Sequence, residues 1–169
     1  LGDGTLRRRT PGKIMDHVVS VSLGDEHGAA ITTDGSLYMW GRNDYGQLGD
    51  GTTVRQHTPV KIMEDVASVS LGWLHSAAIT MDGSLYVWGM NRYGQLGNGV
   101  ADEEVHPVPI KIMDHVVSVS LGLRHSAAVT TDGSLYVWGG NQYGQLGDGT
   151  EDEAVHPTPV KIMDSVAAV

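Results

Sequence analysis

The sequence predicts an all-β fold built from repeated four-stranded units, and three observations predict it. One stretch occurs three times: D-G-S-L-Y-V-W-G-x-N-x-Y-G-Q-L-G-x-G runs from Asp132 to Gly149 and from Asp82 to Gly99, and, with Met39 in place of Val, from Asp34 to Gly51. The period is near 50 residues, since Trp40 to Trp88 spans 48 and Trp88 to Trp138 spans 50. The apolar runs between glycines and prolines are short and rich in β-branched residues, and Val116 to Leu121 alternates with period two at its end. A helical solenoid would need apolar spacings of three and four instead.

Each element follows from local chemistry. An Asp-Gly pair between two apolar runs is a strong hairpin signal, and Gly133 can take the positive φ of a tight two-residue turn. Ala127 to Thr130 and Leu135 to Trp138 are its two strands. After Trp138 the chain turns glycine-rich and reads as a long, tightly specified loop. Before the hairpin come a Lys-Ile-Met strand and a Val-Ser-Val-Ser strand, at Ile110 to Met113 and Val116 to Leu121. The same order appears at Val60 to Met63, Val66 to Leu71, Ser76 to Thr80 and Ser84 to Trp88, and again from Lys13 to Trp40. From Pro59 and Pro109 onward, 29 of 40 positions are identical, which places the repeats at about 11–58, 59–108 and 109–158, with a partial one at 159–169. Four short strands per roughly 50 residues is the pattern of a β-propeller blade. The expected architecture is therefore a partial β-propeller of four-stranded antiparallel blades, three full repeats plus half of a fourth, in one domain. With Lys-Ile-Met strands counted at both ends there are 14 strands, and two chains would supply the 28 of a seven-bladed ring. Leu1 to Thr5 matches Leu48 to Thr52, which reads as a fragment of a longer repeat protein. Open sheet edges in such a piece favour self-association.

Composition narrows the function. Of 23 glycines, 20 recur at matching repeat positions, so they mark turns and close approaches rather than a flexible linker. The formal charge of −9 argues against a nucleic-acid backbone or an anionic membrane as partner. The one basic cluster, Arg7-Arg8-Arg9, reads as a solvated stretch. There are no cysteines, hence no disulfides and no thiolate-ligated zinc.

The run V-x-S-V-S-L-G-x-x-H-S-A-A-x-T-x-D-G-S-L-Y-V-W-G-x-N-x-Y-G-Q-L-G-x-G resembles the regulator-of-chromosome-condensation repeat family over nearly the whole chain. The resemblance implies four-stranded blades arranged radially, commonly seven in a closed ring. Members include a nucleotide exchange factor for a nuclear small GTPase, a plant ultraviolet photoreceptor and a bacterial β-lactamase inhibitor, and what they share is a protein-binding face made of loops. A protein partner bound through blade loops is therefore expected, with guanine-nucleotide exchange on a small GTPase as the alternative.

His27, His75 and His125 recur once per repeat, and three ring-related imidazoles could converge on a metal ion. The preferred reading is that each ties its loop to a neighbouring backbone, since metal ligation needs three nitrogens within about 2.1 Å of one point. Trp73, in Gly72-Trp73-Leu74-His75-Ser76, resembles the photoreceptor's tryptophan motif, but the other repeats carry no tryptophan there. Trp40, Trp88 and Trp138 read as packing residues. Asp102-Glu103-Glu104 and Glu151-Asp152-Glu153 lack the acid spacing of a calcium loop and read as solvated, ended by His106-Pro107 and His156-Pro157. Gly144 to Gly149 lacks the Lys and helix of a phosphate-binding loop. No nucleophile with a placed base is visible, so no catalysis, cofactor or metal is expected. The informative positions change between otherwise identical repeats: Asp25-Glu26, Trp73-Leu74 and Leu123-Arg124 before the histidine, with Arg42 and Asp44, Met90 and Arg92, Gly140 and Gln142 after Trp-Gly. Such positions are either indifferent or addressed to an asymmetric partner. Asp25, Glu26, Trp73, Leu74, Leu123 and Arg124 are the candidate protein-binding residues, with Trp73, Leu74 and Arg124 as anchors.

Overall fold

A computed structural model describes residues 2–4 and 10–169, so the Arg7 to Arg9 cluster lies outside the described residues. Twelve strands are described: β1 Val18–Leu23, β2 His27–Thr32, β3 Leu37–Gly41, β4 Gln56–Met63, β5 Val66–Leu71, β6 His75–Thr80, β7 Leu85–Met90, β8 Val105–Met113, β9 Val116–Leu121, β10 His125–Thr130, β11 Leu135–Gly140 and β12 Val155–Met163. They form three antiparallel sheets, β1-β2-β3-β4, β5-β6-β7-β8 and β9-β10-β11-β12. The inner strand β5 packs on β1 and β2, and β9 on β5 and β6, so the sheets stand side by side as propeller blades. The all-β reading of the sequence holds in full.

Four details differ from expectation. Each Lys-Ile-Met strand closes the blade of the hairpin before it and is not paired in one sheet with the Val-Ser-Val-Ser strand that follows it. Lys13 to Met15 and Val166 to Val169 have no strand partner, so the described residues give twelve strands rather than 14. The closing strands also begin earlier than the loops suggested, and Pro107 and Pro157 lie inside β8 and β12 instead of ending a loop. Proline is tolerated because these are outermost strands, where a missing N–H breaks no ladder. The hairpin turn is longer than two residues. Thr32 N donates to Ser36 O and Gly35 N to Thr32 O, which leaves Thr33, Asp34 and Gly35 between the strands, with Gly35 at φ +77°. This is a three-residue loop of type I turn plus left-handed residue.

The second blade is buried on both faces, and the first and third each on the face turned to it. One core cluster joins Ala29, Ile31, Leu37, Met39 and Leu48 of the first blade to Val66, Leu71, Ala78 and Trp88 of the second. The next joins Ala77, Ile79, Leu85, Val87 and Leu96 to Val116, Ala128 and Trp138 of the third. Hence His75-Ser76-Ala77-Ala78-Ile79 is buried at every residue, and its small side chains let sheets approach closely. A register shift between Val66 and Ser68 makes Ala67 an extra residue that points outward, and Val19 and Val117 repeat this bulge.

The same hydrogen-bond node joins each pair of blades. The carbonyl of Gln47, in the loop after β3, accepts from the Trp88 indole at 2.9 Å and the Ser76 hydroxyl at 2.8 Å, both in the next blade. The Ser76 oxygen lies 3.0 Å from His27 Nε2. Because the hydroxyl proton goes to the carbonyl, Nε2 must carry the proton it donates to Ser76. Gln95, Trp138, Ser126 and His75 repeat the node, with His75 Nε2 3.1 Å from Ser126 Oγ. The histidines thus tie blades through a serine side chain, and only through it to a neighbouring backbone. Nδ1 of both rings is buried without a partner. The glycine before each histidine leaves room for the ring: a Cβ on Gly72 would lie 2.4 Å from His75 Cε1 and 2.7 Å from Gly122 O.

Burial holds His27 at about 4 and His75 at about 3, both below the usual 6.5. The unfolded chain therefore takes up protons first as pH falls. The stability from these rings is complete above pH 6.5 and is lost between 6.5 and about 4 for His27, and down to about 3 for His75. At pH 5 the loss should be roughly 2 kcal/mol per ring, before the carboxylates begin to titrate. Urea melts at pH 7.5 and 5 test this, and equal midpoints would contradict it. Gly72→Ala tests the close packing by sterics alone, because this glycine's φ is not left-handed. The expected cost is about 1–3 kcal/mol, and an unchanged thermal midpoint would exclude the crowding.

Candidate functional site

The three candidate loops share one backbone frame. Gly24 N donates to His27 O, Gly72 N to His75 O and Gly122 N to His125 O, at 2.9–3.0 Å. The carbonyl of the residue before each histidine then accepts from the chain after Trp-Gly: Arg42 N to Glu26 O, Met90 N to Leu74 O and Gly140 N to Arg124 O. With the backbone fixed this way, the two residues between glycine and histidine differ only in what their side chains do.

The first residue of each pair converges. Asp25, Trp73 and Leu123 line one open depression of ≈ 290 Å³, with Leu23, Leu71 and Leu121 from the ends of the inner strands. Leu123 is 55% exposed and Trp73 is half-buried, whereas Trp88 and Trp138 are fully enclosed. Three loops far apart in sequence thus form one surface whose side chains are apolar but for Asp25, with glycine backbone between them.

The second residue of each pair does not join it. Leu74 is 3% exposed and belongs to the packing, so it is no surface anchor. Glu26 pairs with Arg42 at 2.6 Å, and Arg42 also reaches Asp44 at 2.6 Å. Asp44 and then Glu26 raise the pKa of the Arg42 guanidinium further. The Arg124 guanidinium lies 4.3 Å from the centroid of the Tyr93 ring and donates to Gln142 at 3.3 Å. Positions that vary together between repeats are here partners within the chain: Glu26 with Arg42 and Asp44, Arg124 with Gln142. Their joint change was the signal for this pairing. Tyr93 gave none, since every repeat carries a tyrosine there.

The other candidates resolve structurally. Among the described residues no group of three or more His, Asp or Glu side chains is placed to hold a metal ion. Asp102 and Asp152 of the acidic loops bond His106 at 2.9 Å and His156 at 3.1 Å, and Glu103 pairs with Arg92. In the glycine-rich loop, Asn43 accepts from Leu48 N and donates to the Thr52 and Val54 carbonyls. Gly49 in that loop has φ +77°, and a Cβ there would lie 2.8 Å from Trp88 Nε1. The loop therefore packs over the next blade, which is what its glycines allow.

Comparison with known proteins agrees with this architecture. Prp20p from Saccharomyces cerevisiae is 27% identical, with a TM-score of 0.77 over 88% of this chain and 39% of that one. Human WBSCR16 is 28% identical, with a TM-score of 0.75 over 87% of this chain and 38% of that one. Shorter matches are 51% identity over 37 residues to human E3 ubiquitin-protein ligase HERC2 and 43% over 54 residues to human X-linked retinitis pigmentosa GTPase regulator. Those two matches cover 22% and 30% of this chain but only 1% and 5% of the relatives' own length. The RCC1-like domain family matches residues 1–169, and the chain belongs to that family.

Proposed function

We propose that this chain is a non-catalytic protein-interaction module that binds a protein partner through the depression formed by Asp25, Trp73 and Leu123. The observation that carries the reading is the meeting of three loops whose backbone is identical and whose leading side chains are not. Repeats that hold a fold need the same residue at each joint, as the His-Ser-Trp nodes show. A partner without matching rotational symmetry needs different residues at equivalent places, and these loops supply an acid, an aromatic and an aliphatic side chain. Half-buried tryptophan beside leucine is the kind of surface that dominates binding energy. The relatives are consistent with this: Prp20p is described with its binding to Gsp1p and histones, and in complex with Kap60. Glu26 and Arg124 serve as neighbours of the surface, held by Arg42 and Tyr93.

A second reading, guanine-nucleotide exchange on a small GTPase, is favoured by the match to a protein named as a GTPase regulator. Self-association is a separate proposal, supported by the outward face of the first blade: Val18 is 37% and Leu23 75% exposed, where Val66 and Leu71 in the second blade are 1% and 8%.

Capture of a partner should weaken about tenfold or more in Trp73→Ala and in Leu123→Ala, with unchanged melting temperature. Leu74→Ala should instead lose about 2–5 kcal/mol of stability. Full binding by both surface variants would remove the reading. Release of labelled GDP from a panel of small GTPases, accelerated by the chain, would establish exchange in its place. Light scattering decides self-association, and a monomer mass at every concentration would end that proposal.

A further inference from the structure

We infer that the depression receives an apolar side chain flanked by a lysine or arginine on an exposed segment of another protein. The inference rests on the interaction reading above and adds the chemistry of the partner. The walls are Leu23, Leu71, Trp73, Leu121 and Leu123, which favour an apolar group. The volume of ≈ 290 Å³ is open to solvent and lies at the lower end of the about 300–1,000 Å³ of small-molecule pockets, so it suits an inserted side chain better than an enclosed ligand.

The charge at the rim selects the flank. Asp25 is the one charged lining residue, and its carboxylate makes no hydrogen bond or ion pair among the described residues. The neighbouring acid Glu26 is already matched by Arg42, and the cation of Arg124 is engaged by Tyr93 and Gln142. An unpaired carboxylate beside an apolar seat attracts a cation and repels an acidic segment, and the formal charge of −9 acts in the same direction at longer range. Gly24, Gly72 and Gly122 lie between the lining side chains, so backbone rather than bulk separates them.

Trp73 supplies the readout, because Trp40, Trp88 and Trp138 are all buried. Random peptides displayed on phage are selected against the immobilised protein, and the enriched sequences are synthesised and titrated. The expected peptides carry an apolar residue next to Lys or Arg and shield Trp73 from acrylamide quenching. Their affinity falls about tenfold in Asp25→Asn and as much or more in Trp73→Ala, and weakens with added salt. Circular dichroism confirms that both variants fold.

Enrichment of acidic or uncharged sequences, or peptides indifferent to Asp25→Asn, overturns the inference. Peptides whose affinity survives Trp73→Ala overturn it too, as does a selection that enriches nothing. The two readings fail separately: a natural partner that needs Trp73 but presents no cation leaves the interaction module standing and removes this inference alone.

Discussion

Each joint between blades depends on one carbonyl. Gln47 O accepts two protons from the next blade, one from an indole and one from a hydroxyl, and that hydroxyl accepts from a histidine of the first blade. The chain of donors has one consistent order, so the tautomer of His27 follows from counting protons. Burial makes the order rigid, because any group that lost its partner would sit in a low-dielectric interior without water to replace it. The sequence elements that look decorative serve this node. The glycine before the histidine gives its ring space, the Asn-x-Tyr-Gly-Gln-Leu-Gly loop presents the carbonyl, and the tryptophan closes the gap from the far side.

That demand for uniformity explains why variation collects where it does. The residues of the node cannot change without an unpaired buried group, so they repeat. The pair between glycine and histidine has its backbone held at both ends, and its side chains are free of the node. Of these six side chains, Asp25, Trp73 and Leu123 face one depression, while Glu26 and Arg124 are matched by groups of the chain itself and Leu74 is buried. A variable position in a repeat protein thus has a third use besides indifference and recognition: it can be complementary to another variable position. Exposed ion pairs such as Glu26–Arg42 add under about 1 kcal/mol, so their effect is to orient loop side chains more than to hold the blade.

The strands were readable because β-branched runs, Asp-Gly turns and a period near 50 all point the same way. The blade boundary was not. Lys-Ile-Met and Val-Ser-Val-Ser are separated by two residues in the chain, at Glu64-Asp65, and nothing in that spacing tells a hairpin from a crossing between blades. Asp65 adopts φ +56°, as His17, His115 and Ser165 do at the same place, a conformation these residue types reveal only weakly. The turn length was hidden because Ser36 O accepts from Thr32 N rather than from Thr33 N, which adds Thr33 to the loop. Of the site, the loops were legible and their geometry was not: alternation cannot say that the residue after the glycine faces the depression while the next turns away. The serine partners of His27 and His75 lie 49 and 51 residues on, beyond the reach of local pattern.

The missing serine of the first blade limits how the outer faces can be used. Where the second and third blades carry Ser76 and Ser126, the first carries Gly28, paired across the hairpin with Trp40. A Cβ on Gly28 would lie 2.7 Å from the Trp40 ring, so the indole occupies the place of a side chain. A second copy that set its third blade against this face would bring His125 to a joint without a hydroxyl. Its Nε2 would then be buried without the partner that His27 and His75 have, at a cost of about 1–3 kcal/mol. The apolar contact of Leu23 and Val18 would have to exceed that cost. The outward face of the first blade thus keeps part of the internal joints' loop packing, with Gly2 against Trp40 as Gly49 is against Trp88, but lacks their hydroxyl.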